Sequence, residues 1–229
     1  MIILGLDTAQ GACSAALWQG EAGREGHVLA RRFELMRTGH AERLLPQVME
    51  VMAEGGLEMA DLDRLASTIG PGSFTGTRVA LAAARGMALA LDIPLIGITT
   101  LEAVAAGLPL GNGRARIAAF DARRGELYVQ AFDGAGLRAL SDPGVFKVDA
   151  AATAVIAAAE GRPIEIVGTG AELLNDALVG QGVRAEVPEA KPHPDAAVVA
   201  RIAASLAIPA LPPAPLYLRA PDAKLPEPK

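Results

Sequence analysis

The sequence predicts an α/β protein of two lobes, each a mixed sheet with flanking helices. Three observations predict it: short apolar runs alternate with helical stretches, a Pro/Gly-rich turn near Gly111 divides the chain, and the segment after that turn repeats the plan of the N-terminus. With 229 residues, 51% of them hydrophobic, the chain can bury one large core or two smaller ones. A first lobe over residues 1–110 and a second over 111–229 are expected.

In the first lobe, IILGLD (2–7), CSAALWQG (13–20) and LARRFELM (29–36) read as successive strands, the first pair close enough for a hairpin. From Ala41 the apolar period changes: Ala41, Leu44, Leu45, Val48, Met49 and Met52 form the stripe of an amphipathic helix. Pro46 lies inside this pattern, so the helix either starts a few residues earlier or kinks there. RLASTI is the next strand, SFTGTRVALAAARGMALAL a helix apolar on most faces, and PLIGIT a strand that leads into TLEAVAAG. Cys13, the sole cysteine, sits in an alternating apolar strand and reads as a small core residue. The last ten residues, APDAKLPEPK, are Pro-rich and charged and are expected to fray.

The second half opens with RIAAFDARRGELYVQAFDG, a strand, a tight turn and a returning strand. Set beside IILGLDTAQGACSAALWQG it shows one shared plan, with Asp7 matching Asp121 and Gly11 matching Gly125. Duplicated lobes that each begin with strand, Asp, turn and strand suggest the actin-like, hexokinase-like architecture. In such folds the equivalent hairpins contact ATP phosphates, which makes Asp7 and Asp121 candidates for an anion or nucleotide site; VGTGAE, with Gly168 and Gly170, resembles the adenosine-contacting turn, and Gly72 and Ser73 join the site only in the alternative reading of their loop. The turns argue the other way: DTAQG has no glycine close after its Asp, and DARRG places Arg123 and Arg124 where close backbone approach is needed.

The loop IGPGSFTGTR meets neither common phosphate-loop pattern. Gly72 and Gly76 are three residues apart and Thr77-Arg78 follows, which fails the Walker A spacing, and the glycine falls one residue late for a dinucleotide fingerprint. Ser73 is expected to cap the following helix while the glycines permit a sharp turn; an anion on the exposed N–H groups is the alternative.

Charge and composition exclude other classes. A net charge of −5 argues against an independent grip on a nucleic-acid backbone. The N-terminus shows no signal peptide pattern and no apolar run reaches the ~20 residues of a membrane span, so a cytoplasmic protein with no membrane contact is expected. Only His27, His40 and His193 are present, no two at ligand spacing, and no base is positioned to activate Ser73 or Thr75, so neither a metal site nor a catalytic residue is expected.

HAERLLPQV, GPGSFTGTRVALAAARGMA, PLIGITTLEA, DARRGELYVQAF and PLYLRAP together resemble the bacterial TsaB family of tRNA threonylcarbamoyladenosine biosynthesis proteins, with matching runs from Asp7 to Arg219. The resemblance implies the two-lobe actin-like fold and a part in modifying the adenosine next to the anticodon. It implies a non-catalytic scaffold that works with the catalytic paralogue TsaD and the ATPase TsaE, forms a homodimer when alone, and meets tRNA only through the complex. No cofactor is implied for this chain alone, with ATP or ADP in the complex. The catalytic relative carries H-L-E-x-H where this sequence reads Thr100-Leu101-Glu102-Ala103-Val104, so both histidine ligands are missing. The partner interface implied by the resemblance is assigned to Leu44, Leu45, Val48 and Met49 with Arg78, Leu81, Ala82 and Arg85. The alternatives are an ATP-binding kinase or ATPase of the same fold and, last, a metallopeptidase.

Overall fold

The computed structural model describes residues 1–21, 26–111 and 113–219; the APDAKLPEPK tail lies outside the described residues. The first sheet is built from β1 (Ile2–Asp7), β2 (Ala12–Gln19), β3 (His27–Leu35), β4 (Arg64–Thr68) and β5 (Leu95–Ile98), in the order β3-β2-β1-β4-β5. The second contains β6 (Ala115–Arg123), β7 (Glu126–Asp133), β8 (Gly144–Lys147), β9 (Ile164–Val167) and β10 (Ala185–Glu186), in the order β10-β9-β6-β7-β8. Read from its first strand, each sheet has two antiparallel neighbours on one side and two parallel ones on the other. The duplication seen in the Asp7 and Asp121 segments is thus a duplication of whole sheets.

The near-continuous apolar run of β1 reflects cover on both faces. On one face Leu4 and Leu6 pack with α1 (His40–Gly55) and α2 (Phe74–Leu91). Pro46 stays inside α1, which begins at His40, so the proline falls in the second turn. On the other face Ile3 meets Val199, Ala200 and Ala203 of α6 (Ala196–Ser205). The approach is close, because a side chain on Gly5 would stand 2.2 Å from the Ala196 carbonyl oxygen. The sheets therefore divide the chain between residues 98 and 115, but the C-terminal helix belongs by its contacts to the first lobe.

The second sheet packs α4 (Val148–Ala159) and α5 (Ala171–Gly180) on one face and α3 (Thr100–Ala105) on the other. Alternation along β6 puts Arg116, Ala118 and Phe120 on the α3 side, all fully buried. Arg116 donates from Nε to Glu165 at 2.6 Å and from its terminal nitrogens to the carbonyls of Ala105, Leu108 and Pro109. One guanidinium thus ties the end of α3 and the inter-lobe connection to the second sheet. Cys13 is fully buried in β2, and burial pushes its thiol up to about 12.

Candidate functional site

The turn after β1, the loop before α2, the β6–β7 turn and Thr169 after β9 converge on one cleft between the lobes, about 1080 Å³ in volume. Gly72, Ser73 and Asp121 line it, joined by His40, His193 and the cationic side chains Arg37, Arg123 and Arg219. Asp121 accepts from the Arg123 N–H at 2.7 Å, and its own N–H donates to Thr169 Oγ1 at 3.2 Å. Thr169, between the two glycines of VGTGAE, was not singled out by sequence; its position directly after a strand in that turn is the signal that marks it.

The glycine loop is a seam. Side chains on Gly72 and Gly76 would stand 2.3 and 2.1 Å from the carbonyl oxygens of Ala9 and Thr8, so only glycine lets α2 dock on the β1 turn. The Ser73 N–H donates to Ala9 O at 2.8 Å, Thr8 Oγ1 donates to Gly76 O at 2.6 Å, and the Ala80 N–H donates back to Thr8 Oγ1 at 3.0 Å. Ser73 Oγ accepts from the Gly76 N–H at 3.0 Å, which is the cap expected from the sequence.

Three residues expected to contact an anion or nucleotide lie elsewhere. Asp7 is sealed beneath the seam with no exposed surface, its Oδ1 accepting from Thr68 Oγ1 at 2.6 Å and from the Ala9 N–H at 3.2 Å. Gly168 and Gly170 do not line the cleft; a side chain on Gly168 would stand 2.2 Å from Ala119 O, and one on Gly170 would stand 2.7 Å from Leu127. The Gly170 N–H donates to Ala119 O. Both glycines serve the close approach of the β9–α5 turn to β6.

Burial pushes the Asp7 carboxyl from an ordinary 3.8 up to about 7, and its Oδ2 has no hydrogen-bond partner among the described residues. Between those two values the unfolded chain is ionised while the folded one keeps its proton, so stability falls as pH rises through this window and the full penalty stands above it. At about 1.4 kcal/mol per pH unit the penalty reaches roughly 4 kcal/mol. Asp7→Asn is therefore expected to raise the melting temperature relative to the native protein at pH 8 and to give no gain at pH 4; paired thermal melts at the two pH values check this.

The expected interface residues separate into two sets. Leu44, Val48 and Leu81 are only 1%, 1% and 2% exposed and belong to the first lobe's own core, because they form the sheet-facing side of each helix. They are not surface, which corrects their assignment. Leu45 and Met49 are 53% and 63% exposed, with Ala82 of α2 also outward and Leu89 85% exposed. Arg78 and Arg85 are exposed as well but engage the C-terminal segment of their own chain, Arg78 at the Tyr217 hydroxyl and Arg85 at the Pro213 carbonyl.

At α3, Thr99 caps the helix by accepting from the Glu102 N–H, and Thr100 Oγ1 donates to Pro71 O at 2.5 Å. Thr100, Leu101, Ala103 and Val104 are buried, and Val104 packs with Phe120 of the second lobe. His193 rests against Gly11, and burial pulls its pKa down. Among the described residues no three His, Cys, Asp or Glu side chains stand together as metal ligands, and no helix is long and apolar enough to cross a membrane.

Two sheets of one topology around a cleft define the class, a duplicated two-lobe α/β protein of the actin-like and hexokinase-like kind. A family model described as TsaD, tRNA N6-adenosine threonylcarbamoyltransferase, matches residues 34–207. The tRNA threonylcarbamoyladenosine biosynthesis protein TsaB of Escherichia coli is 44% identical over 129 residues, which are 56% of this chain and 53% of that protein. An uncharacterized protein of Mycobacterium bovis is 33% identical over 222 residues, covering 97% of this chain and 93% of its own length. The crystal structure of a Pseudomonas aeruginosa protein with similarity to the peptidase YeaZ superposes with a TM-score of 0.71 at 26% identity, over 95% of this chain and 99% of that one. The chain belongs to the TsaD family, and within it is similar to proteins named TsaB. It spans about half the length of the curated TsaB relatives it matches.

Proposed function

We propose that this protein is a non-catalytic scaffold of tRNA threonylcarbamoyladenosine formation, acting in the cytoplasm by docking the outer face of α1 and α2 on a catalytic paralogue of its own fold. The observation that carries the reading is α3. Where the transferases of the family present two histidines four residues apart to a metal, this chain has Thr100 and Val104, both buried and one of them packed into the inter-lobe core. Membership of the family supports a part in this reaction, and the two residues at the histidine positions support a part without catalysis.

The docking face is supported by Leu45 and Met49, adjacent on one side of α1 at i and i+4, with the small Ala82 and the exposed Leu89 on α2. Adaptable Met beside small residues lets two helical surfaces approach closely. The same face would hold a second copy when the paralogue is absent. An ATPase subunit of the TsaE kind and tRNA join through the complex, which is also where ATP or ADP belongs.

A second reading, an ATP-binding kinase or ATPase, has the cleft in its favour. Against it, Asp7 is sealed off and Gly168 and Gly170 are used in packing, so three of the six expected phosphate and adenosine contacts do not reach the cleft. The test is elution of the lone protein, the paralogue and their mixture on a sizing column, with ATP binding to the lone protein measured by calorimetry. A joint peak with no ATP heat is expected; separate peaks with tight ATP binding would reverse the ranking.

A further inference from the structure

Residues 206–219, after α6, are neither helix nor strand, yet they cross the molecule from one lobe to the other. They include Pro209, Pro212, Pro213 and Pro215, which restrict the backbone and make the segment a stiff strap. Pro213 fills the space beside Gly97 of β5, where an added side chain would stand 2.6 Å from its ring. The Leu216 N–H donates to Ile69 O at 2.7 Å, pinning the strap to the loop that leads into the glycine seam.

Beyond this point the strap makes two side-chain anchors. Tyr217 stacks on Phe74 with ring centroids 5.8 Å apart, and its hydroxyl accepts from Arg78 Nε at 2.7 Å while the Arg78 guanidinium lies over the Phe74 ring at 3.6 Å. Arg219 reaches the second lobe, donating to Ala122 O at 2.9 Å and pairing with the Glu126 carboxylate. Lys147 and Arg219 beside Glu126 hold its carboxyl below the usual range. Only Leu218 separates the anchors, so they stay within about 7 Å along the chain and one cannot shift freely without the other. Arg219 also lines the cleft.

We propose that residues 213–219 form a latch that couples the outer face of α2, through Tyr217 on Phe74 and Arg78, to the β6–β7 turn that walls the inter-lobe cleft. Displacing Tyr217 releases Arg219 from Glu126 and frees that turn, so whatever seats against Phe74 and Arg78 alters the cleft without entering it. Use of the latch by a docking paralogue rests on the function proposed above; the latch itself is a property of the lone chain.

The test is hydrogen–deuterium exchange on the lone protein for the native sequence, Tyr217→Ala and Arg219→Ala, read at residues 122–127 and at α5. Loss of a charge-assisted contact predicts about tenfold faster exchange at the turn in Arg219→Ala. A comparable rise at the same turn is expected in Tyr217→Ala, although the hydrogen bond and ring stacking of Tyr217 are to Arg78 and Phe74, with α5 unchanged. A native rate at the turn in Tyr217→Ala overturns the coupling, as does a rise spread equally over α5. Sizing experiments with the paralogue are separate, so failure of docking is not confused with failure of the latch.

Discussion

Replacing Leu45 and Met49 together by Glu is expected to weaken association with the catalytic paralogue by at least about 100-fold, the equivalent of two buried anchors. Both side chains project from α1 and are more than half exposed, so the charges cost the free protein little. In a docked helical face the same carboxylates lose water without gaining partners. The variant's melting temperature is expected to stay close to native while its affinity by titration calorimetry collapses. Unchanged affinity would remove α1 from the interface. Val48→Glu or Leu81→Glu is no substitute for this test, because each would put a charge into the first lobe's core and unfold it.

Arg116→Ala is expected to destabilise the protein by about 3–5 kcal/mol, the loss associated with removing one partner from a buried ion pair. The Arg116 side chain is fully buried and that of Glu165 7% exposed, and the guanidinium also satisfies three carbonyls where α3 ends and the chain passes to the second lobe. The lobes are expected to lose their fixed connection first, so urea unfolding should become broader as well as earlier. A midpoint within experimental error of native would show that the inter-lobe connection is held by apolar packing alone.

Features written in local pattern were legible in the sequence. The apolar run of β1 announced a strand, and the shared spacing of Asp7–Gly11 and Asp121–Gly125 announced the duplication that the sheets display. Ser73 could be read as a cap because its hydroxyl acts within one helical turn. Features set by distant parts of the chain were not legible. The stripe on α1 mixes a sheet-facing side, Leu44 and Val48, with an outward side, Leu45 and Met49, and only the position of the sheet separates them. Asp7 looked like a ligand because nothing local shows that the Thr8–Ala9 turn and α2 close over it. Gly168 and Gly170 resembled a binding turn because the sequence does not reveal that β6 lies against them. The return of α6 and the strap to the first lobe depends on contacts such as Arg64 with Ala203 O, more than a hundred residues apart. Arg116 did leave a trace: it shares the two-residue period of Ala118 and Phe120, which placed a charge on an apolar face.

The most direct measurement is threonylcarbamoyl transfer to tRNA by the catalytic paralogue and its ATPase, with and without this protein. No transfer is expected from this protein alone, transfer by the mixture is expected to depend on its presence, and the Leu45→Glu, Met49→Glu variant is expected not to support it. Transfer at the same rate in the absence of this protein, or transfer by this protein alone, would contradict the scaffold role.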